Sequence, residues 1–465
     1  MLKNIIKVLV SNFAITIIGL INSFVFPVIM SVESYSAYHQ FTLYVSYVNV
    51  CHLGIATGMF VYYGGQNYQD TNKARYKSEI SLILTVLTFF TTLGIIFSVI
   101  TQSSLIFRVA LAIYPICMIA SFKAMYQAWN RFTAYSVTNV VVTFSLTAIV
   151  IIKYLISGEV QSDFIIAVYL VVNYALLIYF MIEYFLFTKG VKRYPIFSKE
   201  NFDTTRTGFL IMLGNYVMLL FHSVDRQFVN NLYSTYSFAL YSFAGSTTNI
   251  MNVFITAMAT PFYPRLAKGD IEEKQMNMLK EILFVFGAYS GCAYFVVAFL
   301  INNFITKYVD SLPIIYLFFA AFPATAVINV LYVNLYKATK QVKKYLFTLV
   351  GILTVSVVLN FVAVLFKGDY IGISIATTAT YYIWLLYSQR DFTFIKIRLK
   401  DAGYLCCFGL AYLACIQIEN VFVGFFAYGI VITLIDLLFY RASCFEMLSM
   451  LLESFLRKKG AREHE

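Results

Sequence analysis

The sequence predicts an all-α polytopic membrane protein of about fourteen transmembrane helices. They form two six-helix bundles, related as a parallel repeat around a central cavity, plus two C-terminal helices. Three observations predict this class. Hydrophobic residues make up 60% of the 465 and charged residues 12%, with mean hydropathy +0.75, whereas a soluble domain carries about 25% charged residues. Apolar segments long enough to cross roughly 30 Å of hydrocarbon recur along the whole chain. The basic residues alternate between connections in step with those segments. The composition leaves too little polar surface for a cytosolic enzyme, a nucleic-acid reader or a disordered chain.

The first segment, 8–30, follows Lys3 and Lys7. It is longer than a signal core and no small-residue cleavage site follows it, so it reads as a membrane helix. The next five are 41–65, 80–100, 105–122, 137–156 and 164–187. A polar connector, 188–206, leads to 207–229, 238–262, 282–301, 312–336, 345–366 and 370–388. The last pair is 402–416 and 421–440, the former being short and closed by Gln417 and Glu419. A twelve-span chain without this pair is the alternative. Phe445, Leu448, Leu451, Leu452 and Phe455 then fall on one helical face ahead of Arg457, Lys458 and Lys459. That pattern suits an amphipathic helix on the inner leaflet, or a plain extension of the last span.

These segments give the domains 1–187, the connector 188–206, a second bundle 207–388, the extra pair within 389–440 and a tail 441–465. With the amino terminus inside, 29 of the 34 Lys and Arg fall on cytoplasmic connections. Four (Arg108, Lys153, Lys307, Lys367) fall outside, and Arg226 lies within a span. Both termini are therefore expected in the cytoplasm, and the net charge of +11 belongs to the inner face. The seven cysteines sit in or beside apolar segments and the four histidines lack ligand spacing, so neither set reads as a metal site or disulfide framework. No GxxxxGK[ST] loop is present.

The halves repeat. YQAWNRFTAY (126–135) matches YKATKQVKKY (336–345) at Tyr, Ala and Tyr with an offset of 210, and Gly158 matches Gly368 at the same offset. Tyr114-Pro115 corresponds to Phe322-Pro323, and NYALLIY (173–179) to YYIWLLY (381–387). YSAYHQFTLY (35–44) resembles YSTYSFALY (233–241). Six spans separate the copies, so both run in the same direction across the membrane.

Pro27 with the aromatic-rich turn after it, HSVDRQF (222–228) followed by YSFALYSFAG, LYVNLYKATKQVKKY (331–345) and GDYIGISIATTATYY (368–382) carry a resemblance. Over its first twelve spans the chain resembles the bacterial polysaccharide-repeat-unit (Wzx-type) flippases of the multidrug/oligosaccharidyl-lipid/polysaccharide exporter superfamily. The resemblance implies translocation of undecaprenyl-diphosphate-linked oligosaccharide from the inner to the outer leaflet of the bacterial plasma membrane by alternating access, for O-antigen or capsule synthesis. It implies membrane lipids, a polysaccharide polymerase and a chain-length regulator as partners, and no nucleic acid. No cofactor is expected, with H+ or Na+ as candidate coupling ions.

Such a substrate needs a polar, cation-bearing path. Asn215, His222 and Arg226 form one helical stripe. Asn12, Thr16, Gly19 and Ser23 form another in the first span; Asn49 and His52 lie in the second, and Thr248, Asn249, Asn252 and Thr256 in the eighth. Substrate binding is therefore assigned to Arg226, His222, Asn215, Asn49, His52, Asn249, Asn252 and Ser23, and coupling to Asp225. Arg226 reads either as a cavity cation or as a side chain snorkelling at the outer margin. The Asn and Thr stripes also suit plain helix–helix hydrogen bonds. For Glu183, Asp436 and Lys123, near helix ends, snorkelling is the expectation. Pro115, Pro261, Pro264 and Pro323 are candidate kinks. Two rival functions remain open: a multidrug antiporter of the same superfamily, which calls for an acidic intramembrane cluster, and a membrane polymerase or glycosyltransferase, which calls for a large catalytic loop. The short outer connections disfavour the latter, so a non-enzymatic transporter is expected.

Overall fold

The computed structural model describes residues 2–268 and 272–462. Side chains are described from 13 onward, except within 250–268 (where only Met251, Ile255 and Leu266 are), at 342, 367 and 444, and beyond 445. Asn12, Asn252, Pro261, Pro264 and the apolar face Leu448 to Phe455 therefore lie outside the described residues as far as their side chains are concerned.

The chain divides into two compact units, residues 1–223 with 234–239, and residues 224–233 with 240–465. The first contains α1 (Leu2–Ile29), α2 (Val32–Tyr47), a 3-10 turn (Val48–His52), α3 (Ile55–Tyr63), α4 (Lys73–Thr101), α5 (Ser104–Ala128), α6 (Phe132–Ser157), α7 (Ser162–Phe187) and α8 (Lys199–Phe221). The second contains α9 (Val224–Leu232), α10 (Thr235–Lys268) from residue 240, α11 (Glu273–Phe304), α12 (Leu312–Ala320), α13 (Phe322–Val327), α14 (Val333–Ala338), α15 (Val342–Lys367), α16 (Tyr370–Ser388), α17 (Leu399–Cys415) and α18 (Val421–Arg462). No strand occurs among the described residues. Seven helices are individually long and apolar enough to cross a membrane, and ten spans result if each of three bent helix pairs counts as one. The other four expected spans coincide with α1, α10, α16 and α17. The chain is a multi-pass, all-α membrane protein.

In the first unit α5 is central, with α2, α3, α4, α6 and α7 all packed on it. Ala110, Ala112, Ile113, Cys117, Met118, Phe122 and Met125 are buried there. Inside a bilayer the hydrophobic effect does not drive helices together, so close van der Waals approach must. Gly94 of α4 supplies it, since a Cβ there would lie 2.9 Å from that of Ala110. α3 and α8 approach still more tightly: a Cβ on Gly58 would lie 2.0 Å from the Thr204 carbonyl oxygen, and one on Gly208 2.0 Å from that of Gly54. The apolar ends of α4 and α6 (Val99, Ile100, Leu155, Ile156) are exposed, as suits lipid contact.

α2 and α3 meet at a 60° bend. Leu53 and Gly54 turn the chain there with φ of 47° and 79°. His52, only 7% exposed, accepts the freed Gly54 N–H on Nδ1 at 3.0 Å.

In the second unit α11 packs against α12, α13 and α18, α15 against α16, and α17 against α18. A fully buried ion pair fastens α17 to α11. Lys280 Nζ lies 2.5 Å from Asp401 Oδ2 and donates to the Lys396 carbonyl at 2.7 Å. Asp401 also accepts the Tyr440 hydroxyl at 2.7 Å and the Arg398 N–H at 2.8 Å. Tyr440 is the one position within α18 with non-helical backbone (φ −128°, ψ 33°), so the bond stands where the last span meets the tail helix.

The sequence repeat recurs as a repeat of hydrogen bonds. In the first unit the Tyr126 hydroxyl donates to Glu183; in the second the Tyr336 hydroxyl donates to Asp391 at 2.6 Å. Arg131 pairs with Glu183 at 2.5 Å and Lys344 with Asp391 at 3.4 Å. The turn after each tyrosine is the same: Arg131 N–H to the Tyr126 carbonyl at 2.8 Å, and Gln341 N–H to the Tyr336 carbonyl at 3.0 Å. Asn130 and Lys340 both adopt φ 57°, and Gly158 and Gly368 cap α6 and α15 with φ of 74° and 58°, the left-handed conformation that glycine adopts without strain.

One difference has a physical cause. Pro115 to Tyr126 spans eleven residues and Pro323 to Tyr336 thirteen. α5 is continuous across its stretch, whereas the second copy breaks by 43° at Ala321 and contains a π-helical turn, Ile328–Tyr332. A π turn stows one of the two added residues without unwinding the helix. The Asn329 and Asn334 amides cover carbonyls beside it, those of Thr325 at 3.1 Å and Val330 at 2.9 Å.

Candidate functional site

α8 ends at His222, whose N–H bonds to the Met218 carbonyl at 3.2 Å, and α9 starts two residues on. The break places Asp225 in the first turn of α9, which packs against α15 and α16. Asp225 is 9% exposed. Its Oδ1 accepts the Arg226 N–H at 2.7 Å, and its Oδ2 accepts the Tyr241 hydroxyl at 3.0 Å, with Thr377 Oγ1 at 3.5 Å. Arg226 is half-buried beside it. A carboxylate held inside a membrane protein by hydroxyls is costly and usually functional.

A second polar residue lies in the α15–α16 hairpin on which α9 packs. α15 and α16 form a hairpin about Gly368, with Asn360 eight residues before it and Thr377 nine after it. Asn360 is fully buried, and neither its amide nitrogen nor its oxygen has a hydrogen-bond partner. Its repeat counterpart at offset 210 is Val150, an ordinary buried apolar residue. A buried amide without partners costs about 1–3 kcal/mol per orphaned group, so Asn360 is not there for packing. Asp225, Tyr241 and Thr377 offer oxygen donors, which suit a proton or a hard cation rather than a soft metal. Among the described residues no three His, Cys, Asp or Glu side chains group as a metal site.

The other sequence-derived candidates are distributed as follows. Asn215 and His222 on α8, Asn49 in the 3-10 turn and Asn249 on α10 are exposed. Tyr47 ties the turn to α8, donating to Ser223 Oγ at 2.9 Å and meeting the Tyr216 ring at 6.4 Å. Ser23 donates to the Gly19 carbonyl at 3.0 Å within its own helix, whereas its neighbour Asn22 crosses to Thr147 on α6 at 2.9 Å. His52 is engaged at the α2–α3 break. Tyr241 and Thr377 lie inside motifs visible in the sequence, but nothing in their spacing pairs them with Asp225. Asn360 has no sequence signal beyond being an amide in an apolar span.

The first unit holds two further polar clusters. Glu79, fully buried, accepts from Tyr63 at 2.8 Å, from Arg75 Nε at 3.1 Å and from Thr204 at 3.1 Å, and the Arg75 guanidinium stacks on Tyr62 at 3.5 Å. Glu183, engaged by Tyr126 and Arg131, borders a small half-open aromatic pocket walled by Tyr68, Tyr76, Trp129 and Phe187. Snorkelling does not describe Glu183, because it is held by two protein groups.

No family model matches the chain, and no curated protein matches its sequence. Among solved structures it is similar to the lipid II flippase MurJ in an inward closed conformation, with 15% identity, 94% of this chain and 99% of that chain covered, and a TM-score of 0.72. It also aligns with an outward-facing multidrug resistance MATE family transporter of the MOP superfamily (14% identity, 84% and 96% covered, TM-score 0.47). The MATE transporter ClbM in complex with Rb+ aligns at 12% identity, 85% and 93% covered, with a TM-score of 0.38. This chain therefore shares the fold of the lipid II flippase.

Proposed function

We propose that the protein is a flippase. It carries undecaprenyl-diphosphate-linked oligosaccharide repeat units from the cytoplasmic to the outer leaflet of the bacterial plasma membrane by alternating access, for O-antigen or capsule synthesis, with both termini in the cytoplasm. The observation that carries this reading is the likeness in fold to the lipid II flippase over 94% of the chain. That structure is a flippase of lipid II, and the motifs in 222–245 and 331–382 point to a lipid-linked cargo for this chain as well.

In this reading the exposed Asn215, His222, Asn49 and Asn249, the partly exposed Ser23 and Arg226, and Asn252 contribute to a polar path for the glycan head. The polyprenyl tail stays in lipid. His52 contributes by holding the α2–α3 break through Gly54. Asp225 couples transport to H+ or Na+. Burial makes its charge costly, and the surrounding Tyr241 and Thr377 hydroxyls supply what a bound proton or hard cation needs.

Deletion of the gene tests the reading. Lipid-linked repeat units should accumulate on the cytoplasmic face and surface polysaccharide should disappear, with recovery on complementation. Normal surface polysaccharide in the deletion strain would refute it.

A further inference from the structure

Lys123 lies on α5, the helix that five others enclose in the first unit. Of the large apolar side chains on α5 only Phe107 is strongly exposed, so the surface left to this helix is not a lipid face. Along it runs a partly exposed stripe, Ile116, Ala120, Lys123 and Gln127, at helical spacing. Lys123 stands five residues inside the helix end at Ala128, about 8 Å at 1.5 Å per residue.

The cations of the first turns of α4 and of the turn after α5 are engaged. Arg75 pairs with Glu79, Arg131 pairs with Glu183, Lys77 donates to the Val191 carbonyl at 2.9 Å, and Lys73 lies 4.6 Å from the Phe187 ring centre. Lys123 makes no hydrogen bond or ion pair with any described residue. Its counterpart at offset 210 is Val333, which is buried. The second unit therefore closes this position with an apolar side chain, and the first keeps an uncompensated ammonium there. An unpaired cation inside a membrane protein is expensive and persists where a ligand supplies the missing charge.

We propose that Lys123 binds the diphosphate of the lipid-linked substrate at the end of α5 that the charge distribution assigns to the cytoplasm. This inference rests on the flippase reading. An ammonium is a compact point charge with three donors and no acceptor, matched to phosphate oxygens. Gln127, one turn on, offers a further amide donor on the same stripe.

The test uses the full chain in nanodiscs, with a polyprenyl diphosphate, the corresponding polyprenol and inorganic pyrophosphate as probes. The wild type should bind the diphosphate lipid about tenfold or more tightly than the alcohol. Lys123→Gln should lose that preference and Lys123→Arg should keep most of it. Lys123→Met should unfold at a higher temperature than wild type, because it removes an unpaired, half-buried charge; this separates loss of binding from loss of fold. A Lys123→Gln protein that still prefers the diphosphate overturns the inference and leaves the flippase reading intact, provided the wild type complements the deletion strain. A wild type that binds no diphosphate lipid and does not complement brings down both. Pyrophosphate that competes as well as the lipid would refute the lipid source of the anion.

Discussion

The buried pair Lys280–Asp401 gives the sharpest stability prediction. Each side chain is 1% exposed. Removing one partner of such a pair costs about 3–5 kcal/mol, because the survivor keeps its charge without compensation. Lys280→Met leaves Asp401 with the Tyr440 hydroxyl and the Arg398 N–H, so it should fall near the lower end. Asp401→Leu leaves Lys280 with the Lys396 carbonyl alone and orphans two donors, so it should fall at the upper end. The double variant removes both charges. It orphans the Tyr440 hydroxyl, the Arg398 N–H and the Lys396 carbonyl, at about 1 kcal/mol each. It should therefore be no less stable than either single variant, and the double-mutant cycle should give a coupling of about 3 kcal/mol or more. Reversible unfolding in mixed micelles, followed by helical circular dichroism, measures all four proteins. Single effects that simply add in the double variant would refute the reasoning and reduce the pair to two independent polar contacts.

Gly58→Ala and Gly208→Ala should each cost about 1–3 kcal/mol or more in the same assay, because the new Cβ meets backbone that has no flexible end to yield. Tyr126→Phe and Tyr336→Phe should destabilise by similar amounts, about 1.5–3 kcal/mol, since each removes a bond to a carboxylate at the equivalent place in its half; a loss confined to one half would deny the equivalence. Asp225→Asn should abolish the dependence of transport on an ion gradient in proteoliposomes, and Tyr241→Phe should weaken it, whereas unchanged gradient dependence in Asp225→Asn removes Asp225 from coupling. Deleting Val330 should convert the π turn to α-helix and leave the protein folded with Tyr336 still near Asp391, as read by an unchanged unfolding temperature.

Hydropathy made the spans legible because the bilayer imposes one length and one polarity on every crossing. All fourteen expected segments are helical, and the offset of 210 found in the sequence recurs in the paired turns at Asn130 and Lys340. The interruptions were not legible. The α2–α3 break depends on Leu53 and Gly54 adopting left-handed backbone, and one glycine among 22 does not announce that. His52 looked like a ligand because an imidazole in an apolar span is unusual; its partner is a backbone N–H two residues away, which no pattern of side chains encodes. Glu79 was invisible for the opposite reason: in the sequence it sits among Arg75 and Lys77 and looks like part of a solvated helix end, yet the chain folds Tyr63 and Thr204 onto it.

The repeat supplies an internal comparison that neither the sequence nor a single site offers. Two halves descended from one pattern should agree wherever the fold alone sets the residue. They do agree at Tyr126 and Tyr336, at Glu183 and Asp391, and at Gly158 and Gly368, where the same bond or the same backbone angle is made twice. Positions where one half keeps an apolar residue and the other holds an unsatisfied polar one are different in kind. Asn360 faces Val150 in this comparison, and Lys123 faces Val333. In each case the apolar version demonstrates that helix packing is served without the polar group, so packing does not explain why that group is there. The two departures fall in opposite halves, a cation in the first and an unpartnered amide in the second. Under the proposed flippase reading, a transporter that drives an anionic headgroup with a coupling ion has to hold two charges of opposite sign at separate places, and the two halves would divide that work between Lys123 and Asp225.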